Sequence, residues 1–314
     1  MAVYTKLTEK DLNNFFLKYN LGKVLNHEGI KEGIENTNYS IKTEKGNFIL
    51  TLYEKRVDEK DLPFFIGLMR NLYDKNFPSP EPIINKNGNY ISEISGKKAA
   101  VVSFLKGSSK KILTPDDCHQ VGINSAKLHS ITKNLASKRE NKLSINSWRK
   151  IYSKVKKDCS KIHPDLTNVV EKNLNEIEKN WPENIPSGII HADLFPDNIF
   201  FKNDHLSGII DFYFSCNDFY AYELALTTNA WCFSKQNLFL NENFESLIKG
   251  YTKLSKITNE EIKNFNILLR GAAIRILVTR LHDQLFHPAG AIVKPKDPLE
   301  YFNILKWHQE NKIL

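Results

Sequence analysis

The sequence predicts an α+β protein of two lobes, in which a small lobe with an antiparallel sheet precedes a larger, mainly helical lobe. Short alternating apolar segments separated by turn residues are concentrated before residue 106, whereas segments of helical periodicity dominate after it. In addition, a chain of 314 residues with 41% hydrophobic content can bury a core large enough for two lobes. We expect the lobes to comprise residues 1–105 and 106–314.

The small lobe is predicted to begin with a helix over residues 8–19, which Thr8 caps and whose apolar side chains fall on one face. The later elements are strands over 38–43 and 47–53 around a Lys45-Gly46 turn, a helix over 58–74, and strands over 90–94 and 98–105. Prolines at positions 78, 80 and 82 follow the second helix and prevent it from continuing.

The large lobe begins after the polar break Lys106-Gly107-Ser108-Ser109, which we interpret as a hinge. Helices are predicted over residues 114–130, 145–161, 166–180, 220–232, 242–254 and 259–285. The last of these starts with a capping box from Thr258 to Glu261 and is apolar on nearly every side, so we expect it to be buried.

Composition argues against several classes of function. The net charge of +8 would suit nucleic acid, but the lysines are spread along the chain without interleaved aromatic residues, so we expect no nucleic-acid partner. No stretch is long and apolar enough to span a membrane, and residues 1–10 lack a signal-peptide pattern, which predicts a cytoplasmic protein. The four cysteines form no Cys-x-x-Cys pair, so neither a zinc ribbon nor a disulfide framework is indicated.

The most informative segment is His191-x-Asp193-x4-Asn198, followed by Asp211. Its order and spacing are those of a kinase catalytic loop, in which the Asp accepts a hydroxyl proton and the Asn binds Mg²⁺. A nucleoside triphosphate repels nucleophiles, so phosphoryl transfer needs a divalent cation on oxygen ligands and a base at the acceptor. The segment therefore predicts an enzyme that uses ATP and Mg²⁺.

Apolar runs at residues 188–190, 199–201 and 206–214 flank this segment and predict a strand, the loop, a strand, a turn and a strand. The structural alternative is a buried hairpin whose aspartates are turn residues. The joint order of the His, Asp, Asn and downstream Asp favours phosphotransfer over that alternative.

Further strings extend the pattern: GIKEGIEN (29–36), FILTLYEKR (48–56), DLPFF (61–65), IDFYF (210–214), NAWCF (229–233) and KDPLEY (296–301). With them, nearly the whole chain resembles the protein-kinase-like small-molecule kinases, the fold of aminoglycoside and choline phosphotransferases. Within that fold it resembles the bacterial homoserine kinases. The resemblance implies a two-lobed kinase-like fold and ATP-dependent phosphorylation of the hydroxyl of L-homoserine, a step toward threonine.

The resemblance also implies roles for individual residues. Asp193 would be the catalytic base and Asn198 and Asp211 the Mg²⁺ ligands, while His191 would organise the loop, with a role as base as the alternative. The residues expected at the nucleotide are Gly33, Asn36, Thr37 and Thr51 near the phosphates and Val102, Ser103, Phe104 and Leu105 at the adenine.

Three positions depart from the wider kinase pattern. Thr51 stands where a strand Lys or Arg normally meets the phosphates, and Phe65 stands where a helix Glu normally pairs with that cation. Loss of both partners is coherent, because a single buried charge left behind would be costly. Lys42, Lys55 and Arg56 are candidate replacements for the cation. Separately, a Glu at position 223 stands where an Asp usually supports the catalytic loop.

Homoserine carries a carboxylate, for which arginine is the natural clamp. The helix predicted over residues 259–285 offers Arg280 as first choice and Arg275 as second, and Tyr213 and Trp231 are further candidates for the substrate cleft. Buried structural partners are the alternative for each.

Two other functions remain open on the sequence alone. One is another small-molecule kinase of the same fold, acting on an aminoglycoside, choline or methylthioribose. The other is a catalytically silent kinase-like binding protein, motivated by Thr51 and Phe65. The oligomeric state is not predicted.

Overall fold

A computed structural model describes residues 4–30, 36–54, 57–287 and 294–314. Contacts divide these residues into two compact units. The first unit contains the described residues up to Gly107, together with Ser207–Tyr213 and Lys294. The second contains Ser108–Leu206, residues 214–287 and residues 295–314. Residues 207–213 therefore group with the small unit, although the sequence prediction assigned everything after Leu105 to the large lobe.

The first unit is built on a five-stranded antiparallel sheet with the order β1-β2-β3-β5-β4. The strands are β1 (Val24–Gly29), β2 (Thr37–Thr43), β3 (Gly46–Leu52), β4 (Ile91–Ile94) and β5 (Lys97–Ser103). Two helices accompany them, α1 (Glu9–Phe16) and α2 (Leu62–Asp74). The sequence prediction missed β1, because this edge strand is largely exposed and its residues do not alternate between apolar and polar.

One face of this sheet carries the core of the unit. Ile41 on β2 and Leu50 on β3 are buried in a cluster with Leu12, Phe15 and Phe16 of α1. Because side chains alternate along a strand, residues of odd and even number on β3 face opposite sides. The side of the sheet away from α1 therefore receives Thr51, which pairs in register with Asn38 on β2. Thr51 is one of the residues that the sequence analysis predicted at the nucleotide.

The second unit is mainly helical. Its helices are α3 (Pro115–Thr132), α4 (Ile145–Val155), α5 (Cys159–Ile162), α6 (Leu166–Asn180), α7 (Tyr220–Trp231), α8 (Asn241–Thr252), α9 (Asn259–Leu285) and α10 (Pro298–Glu310). The long helix α9 is buried along most of its length, as predicted. Helix α10 was not predicted, although Asp297 caps it and Pro298 occupies its first turn.

Two small sheets frame the catalytic segment. Strand β6 (Ser187–Ile190) pairs with β9 (Cys216–Phe219), and β7 (Ile199–Lys202) pairs with β8 (His205–Ile209). The single strand predicted over residues 206–214 is wrong, because β8 ends at Ile209 and residues 212–214 form a short 3₁₀ helix. Asp211 between them has a positive φ of 64°, which an extended strand does not allow.

None of the helices in the described ranges is long and apolar enough to cross a lipid bilayer. All four cysteines are unpaired and buried.

Helices α3 and α8 pack closely through two glycines, which gives a test of the packing. A Cβ added to Gly122 would lie 2.1 Å from the carbonyl oxygen of Leu247, and one added to Gly250 would lie 2.1 Å from that of His119. Because backbone cannot yield as a side chain can, Gly122→Ala should lower the free energy of unfolding by about 1–3 kcal/mol. Urea unfolding monitored by circular dichroism measures the change.

Gly67→Ala is the matched control. Gly67 lies inside α2, and nothing stands within 4 Å of an added Cβ. There the methyl group should stabilise the protein by about 0.5–1 kcal/mol, through the loss of backbone freedom in the unfolded chain. Equal effects of the two substitutions would contradict the helix contact described above.

Candidate active site

The catalytic segment is a tight loop that leaves β6 after Ile190 and enters β7 at Ile199. Ala192, which precedes Asp193, has a φ of 63° in the left-handed region. A residue with a Cβ is strained there by about 1–2 kcal/mol, so surrounding contacts must hold the backbone in place. Those contacts come from two opposite charges.

The first charge is the buried carboxylate of Glu223 on α7. It accepts hydrogen bonds from the backbone N–H of His191 and from that of Ala192, the latter at 2.9 Å. The sequence comparison placed Glu223 where an Asp commonly supports such a loop, and the structure shows that the longer side chain makes this contact. The N–H groups on both sides of the strained peptide are thereby satisfied.

His129 on α3 completes the support of the loop through Glu223. Its Nε2 lies 3.5 Å from the Glu223 carboxylate and its Nδ1 lies 3.0 Å from the Tyr251 hydroxyl. Burial alone would raise the pKa of Glu223, but His129 and the N–H of His191 favour the ionised form, and the net effect lowers the pKa. The carboxylate is thus kept ionised inside the protein.

The second charge is the guanidinium of Arg275 on α9, which is only 2% exposed. Its Nη1 donates a hydrogen bond of 2.7 Å to the carbonyl oxygen of Ala192 and it lies over the ring of Phe214. The side chain is enclosed and engaged with the loop, and these contacts do not support the prediction that Arg275 clamps a substrate carboxylate. Its role is to hold the backbone next to Asp193.

Trp231 also contacts the catalytic loop. It is fully buried, and its Nε1 donates to the carbonyl oxygen of Leu194 at 2.7 Å. These contacts do not support its predicted place in a substrate cleft, which stays a prediction. His191 is likewise fully buried, and its Nδ1 lies 3.3 Å from the backbone N of Asp193, which fits loop organisation and not proton transfer to a substrate.

The loop brings Asp193 and Asn198 together. The Nδ2 of Asn198 donates to both the carbonyl oxygen and the Oδ2 of Asp193, each at 2.9 Å. Desolvation raises the pKa of Asp193 to about 6, against the nearby charge of Arg275, which lowers it. The carboxylate is therefore a stronger base than a solvated Asp and is still largely ionised at neutral pH.

The segment carrying Asp211 belongs to the first unit and is fixed there on both sides. Before it, the N–H of Ile209 donates to the carbonyl oxygen of Pro78 at 2.7 Å, and Gly208 lies against the side chain of Leu105. After it, Tyr213 packs into an aromatic cluster. The left-handed φ of Asp211 turns the chain between these two anchors.

The aromatic cluster consists of Tyr213, Tyr53 and Phe65, the last of which stands where the sequence analysis expected a helix Glu. The ring of Tyr213 meets those of Tyr53 and Phe65 edge to face, at centroid distances of 5.4 and 5.6 Å. The two tyrosine hydroxyl oxygens are 3.2 Å apart. Such contacts replace a charge pair by packing and one hydrogen bond. Tyr213 is half-buried and packs within the first unit, and its predicted place in the substrate cleft stays a prediction.

Thr51 adjoins this cluster but has its own partner. It is buried, and its Oγ1 donates to the Oδ1 of Asn38 at 2.7 Å. The hydroxyl that stands in place of the expected cation is thus used to join β2 and β3.

The predicted phosphate-binding residues divide into two groups. Gly33 and the candidate cations Lys55 and Arg56 lie outside the described residues, and Lys42 is exposed on β2. The side chains of Asn36 and Thr37 are buried and hold Glu54, the second residue after β3, through its backbone N–H and its carboxylate. These two side chains thus support the sheet, and their assignment as phosphate contacts stays a prediction.

The predicted adenine segment runs along the end of β5. The N–H groups of Ser103 and Phe104 donate to the carbonyl oxygens of Glu81 and Asn47. Val102 pairs with Ile49. Within the described residues, Leu105 is the member of the segment for which no backbone N–H hydrogen bond is found, and the contact of the segment with adenine stays a prediction.

Arg280, the first choice for a substrate carboxylate, is engaged elsewhere. Its Nη1 donates to the carboxylate of Glu300 and to the carbonyl oxygen of Asp297, and its guanidinium lies 4.6 Å from the ring centroid of Tyr301. These contacts fix the start of α10 against α9. They do not support the prediction that Arg280 binds substrate.

Lys296 is a residue that the sequence analysis did not assign. Its Nζ lies 2.8 Å from the Oδ2 of Asp197 and 5.5 Å from the ring centroid of Phe195, both in the catalytic loop. The sequence signal for this residue was the KDP string (296–298), because the lysine directly precedes Asp297, which caps α10.

Mg²⁺ prefers oxygen ligands, and Asn198 offers one. Since Nδ2 of Asn198 donates to Asp193, its Oδ1 is the atom that faces other partners, and a carbonyl oxygen suits a hard cation. In the first unit, Asp211 has a carboxylate, which is a ligand of the same kind. No group of three or more His, Cys, Asp or Glu side chains within the described ranges forms a cluster that could hold a metal by itself. The residues present fit a Mg²⁺ that takes most of its ligands from triphosphate and water.

The chain is similar in sequence to a known protein family and to individual proteins. Residues 26–257 match the sequence profile of the family described as "Phosphotransferase enzyme family". The chain is 43% identical over 309 residues to a homoserine kinase of Sinorhizobium fredii, covering 98% of this chain and 95% of that protein. It is 44% identical over 309 residues to a homoserine kinase of Beijerinckia indica, covering 98% of this chain and 96% of that protein.

Solved structures confirm the fold. An amicoumacin kinase in complex with AMP-PNP and Ca²⁺ superimposes with a TM-score of 0.71 at 14% identity, covering 97% of this chain and 92% of its own. A spectinomycin phosphotransferase in complex with ADP and spectinomycin gives a TM-score of 0.69 at 15% identity, with coverages of 96% and 95%. The two-lobed kinase-like fold class predicted from the sequence is correct.

The Glu223 contact yields a test. In Glu223→Gln the amide retains one acceptor oxygen and turns an NH₂ group toward a backbone N–H that then lacks a partner. We expect the free energy of unfolding to fall by about 1–3 kcal/mol, the cost of a buried unsatisfied group. Chemical unfolding measures it, with Glu183→Gln at an exposed position as control. An unchanged stability would contradict the clamp on Ala192.

Proposed function

The chain belongs to the phosphotransferase enzyme family, and we propose that it is a homoserine kinase, which transfers the γ-phosphoryl group of ATP to the hydroxyl of L-homoserine. The observation that carries this proposal is the pre-shaped loop around Asp193, together with about 43% identity to homoserine kinases over nearly the full chain. The product is O-phospho-L-homoserine.

Asp193 orients the substrate hydroxyl and accepts its proton. A hydroxyl is a poor nucleophile until that proton has an acceptor, and a positioned base contributes about 10²–10⁴ in rate. The raised pKa of Asp193 makes it a better acceptor than a solvated carboxylate. Asn198 holds this carboxylate in one rotamer by its hydrogen bond.

Asn198 and Asp211 are the residues that would hold Mg²⁺. When bound, the cation neutralises charge on the triphosphate oxygens and orients the transferred group. Asp211 is held for this task by its two anchors, Ile209 on one side and Tyr213 on the other. The Tyr213 cluster fixes this segment to Tyr53 and Phe65 of the same unit.

The test of this function is ADP release measured with homoserine, choline, methylthioribose and kanamycin in parallel, each with Mg²⁺ present. We expect turnover with homoserine well above the other three acceptors. Asp193→Asn should lower kcat by about 10²–10⁴. Turnover with another acceptor in place of homoserine would reject the substrate, and undiminished turnover by the variant would reject the mechanism.

The pKa of Asp193 gives a pH dependence. Because the ionised form must accept the proton, kcat should fall as the pH is lowered through about 6 and should be flat above it. A bound Mg²⁺ would move this limb toward lower pH. A pH–rate profile at saturating substrate measures it, and activity that rises on acidification would contradict the role of Asp193.

Stability changes in the opposite sense to activity. The pKa of Asp193 in the folded protein lies above its ordinary value of 3.8, so the folded state binds more protons than the unfolded state between those two values. The contribution of this group to stability is present at low pH and is lost as the pH rises through about 6. Asp193→Asn should therefore be at least as stable as the native chain at pH 8, and loss of activity in that variant cannot be ascribed to unfolding.

A further inference from the structure

A zwitterionic amino acid needs a cation for its carboxylate and an acceptor for its ammonium, both close to the catalytic base. Three cationic side chains of the second unit lie near the loop: Arg275, Arg280 and Lys296. Arg275 is enclosed and donates to the carbonyl oxygen of Ala192. Arg280 is 9% exposed and is held by Glu300 and Asp297. Neither is open to a ligand arriving from solvent.

Lys296 differs from both. Its side chain is 55% exposed, yet it is tied to the catalytic loop at two points, Asp197 and Phe195. Asp197 directly precedes Asn198, whose amide contacts Asp193, and the N–H of Phe195 donates to the carbonyl oxygen of Asp193. The ammonium group is thus fixed beside the base while remaining open to solvent.

Asp197 is equally open. Its side chain is 58% exposed, and Lys296 is its ion-pair partner. After desolvation and Arg275, the charges that act on the pKa of Asp193 are Asp197, which raises it, and Lys296, which lowers it. Both side chains therefore lie within electrostatic reach of the reacting hydroxyl's position.

We propose that Lys296 and Asp197 together form the recognition site for the amino-acid backbone of the substrate, Lys296 binding the carboxylate and Asp197 the ammonium group. A neighbouring cation and anion are complementary to a zwitterion laid antiparallel to them. An exposed ion pair contributes only about 0–1 kcal/mol to stability, so it opens at little cost when both members gain a new partner. This assignment rests on the proposed homoserine kinase function.

The experiment uses two analogues, each lacking one charge of homoserine. 3-Amino-1-propanol lacks the carboxylate and 4-hydroxybutanoate lacks the ammonium group. For each we measure kcat/KM or, where turnover is slow, the inhibition constant against homoserine. In Lys296→Met, the preference for homoserine over 3-amino-1-propanol should fall about tenfold or more, the value of a hydrogen bond to a charged group. In Asp197→Asn, the preference over 4-hydroxybutanoate should fall similarly.

Matched controls separate recognition from folding. Lys306→Met removes another exposed lysine that lies over an aromatic ring, 5.6 Å from the centroid of Phe302 on α10. Asp204→Asn removes another exposed acid paired with a lysine, 2.7 Å from Lys110. Both controls should keep the native preferences. Circular dichroism confirms that all four variants are folded.

The outcomes are distinguishable. An unchanged preference in Lys296→Met overturns the site, and so does an equal loss of kcat/KM toward homoserine and 3-amino-1-propanol. In either case the lysine does not recognise the substrate carboxylate. The same holds for Asp197→Asn with 4-hydroxybutanoate. If the native chain phosphorylates another acceptor and not homoserine, the proposed function itself fails.

Discussion

The catalytic loop depends on a single constraint: Ala192 must stay in a left-handed conformation, and two buried charges on opposite sides of its peptide groups keep it there. Glu223 accepts from the N–H groups and Arg275 donates to the carbonyl oxygen. Neither charge would be stable inside the protein alone, since an unpaired buried ion costs several kcal/mol. Both charges are engaged by the loop that they hold, although no hydrogen bond to the Nε of Arg275 is found within the described residues, so α7 and α9 help to set the position of Asp193.

The cost of an unpaired buried charge also bears on the first unit. A lysine on β3 would need an acid on α2, and the chain has replaced both, with Thr51 bonded to Asn38 and Phe65 packed on Tyr213. An aromatic cluster has no desolvation penalty for charges and is insensitive to salt, but it provides no cation for a phosphate. The segment that carries Asp211 is therefore held by packing.

Local signals predicted local structure well. Capping residues and helical spacing predicted the bounds of α6 and α9 as they are found, because these signals lie within the helix itself. The strand predicted through Asp211 failed because its left-handed φ is imposed by anchors at Pro78, Tyr53 and Phe65, which are far away in sequence. The spacing of His191, Asp193 and Asn198 could be interpreted for the same reason, because these three residues lie within one loop.

The arginines of α9 show the limit of such reasoning. Helical spacing gave their directions, but not whether each points at a substrate or at a buried partner. The partner of Arg275 is a carbonyl oxygen 83 residues away, and that of Arg280 lies on a helix that the sequence did not predict. Arginine's fork fixes backbone well for the reason that it clamps carboxylates well, so the enclosed positions used it for structure. Substrate recognition was left to an exposed lysine, whose flexible stem can exchange one anion for another.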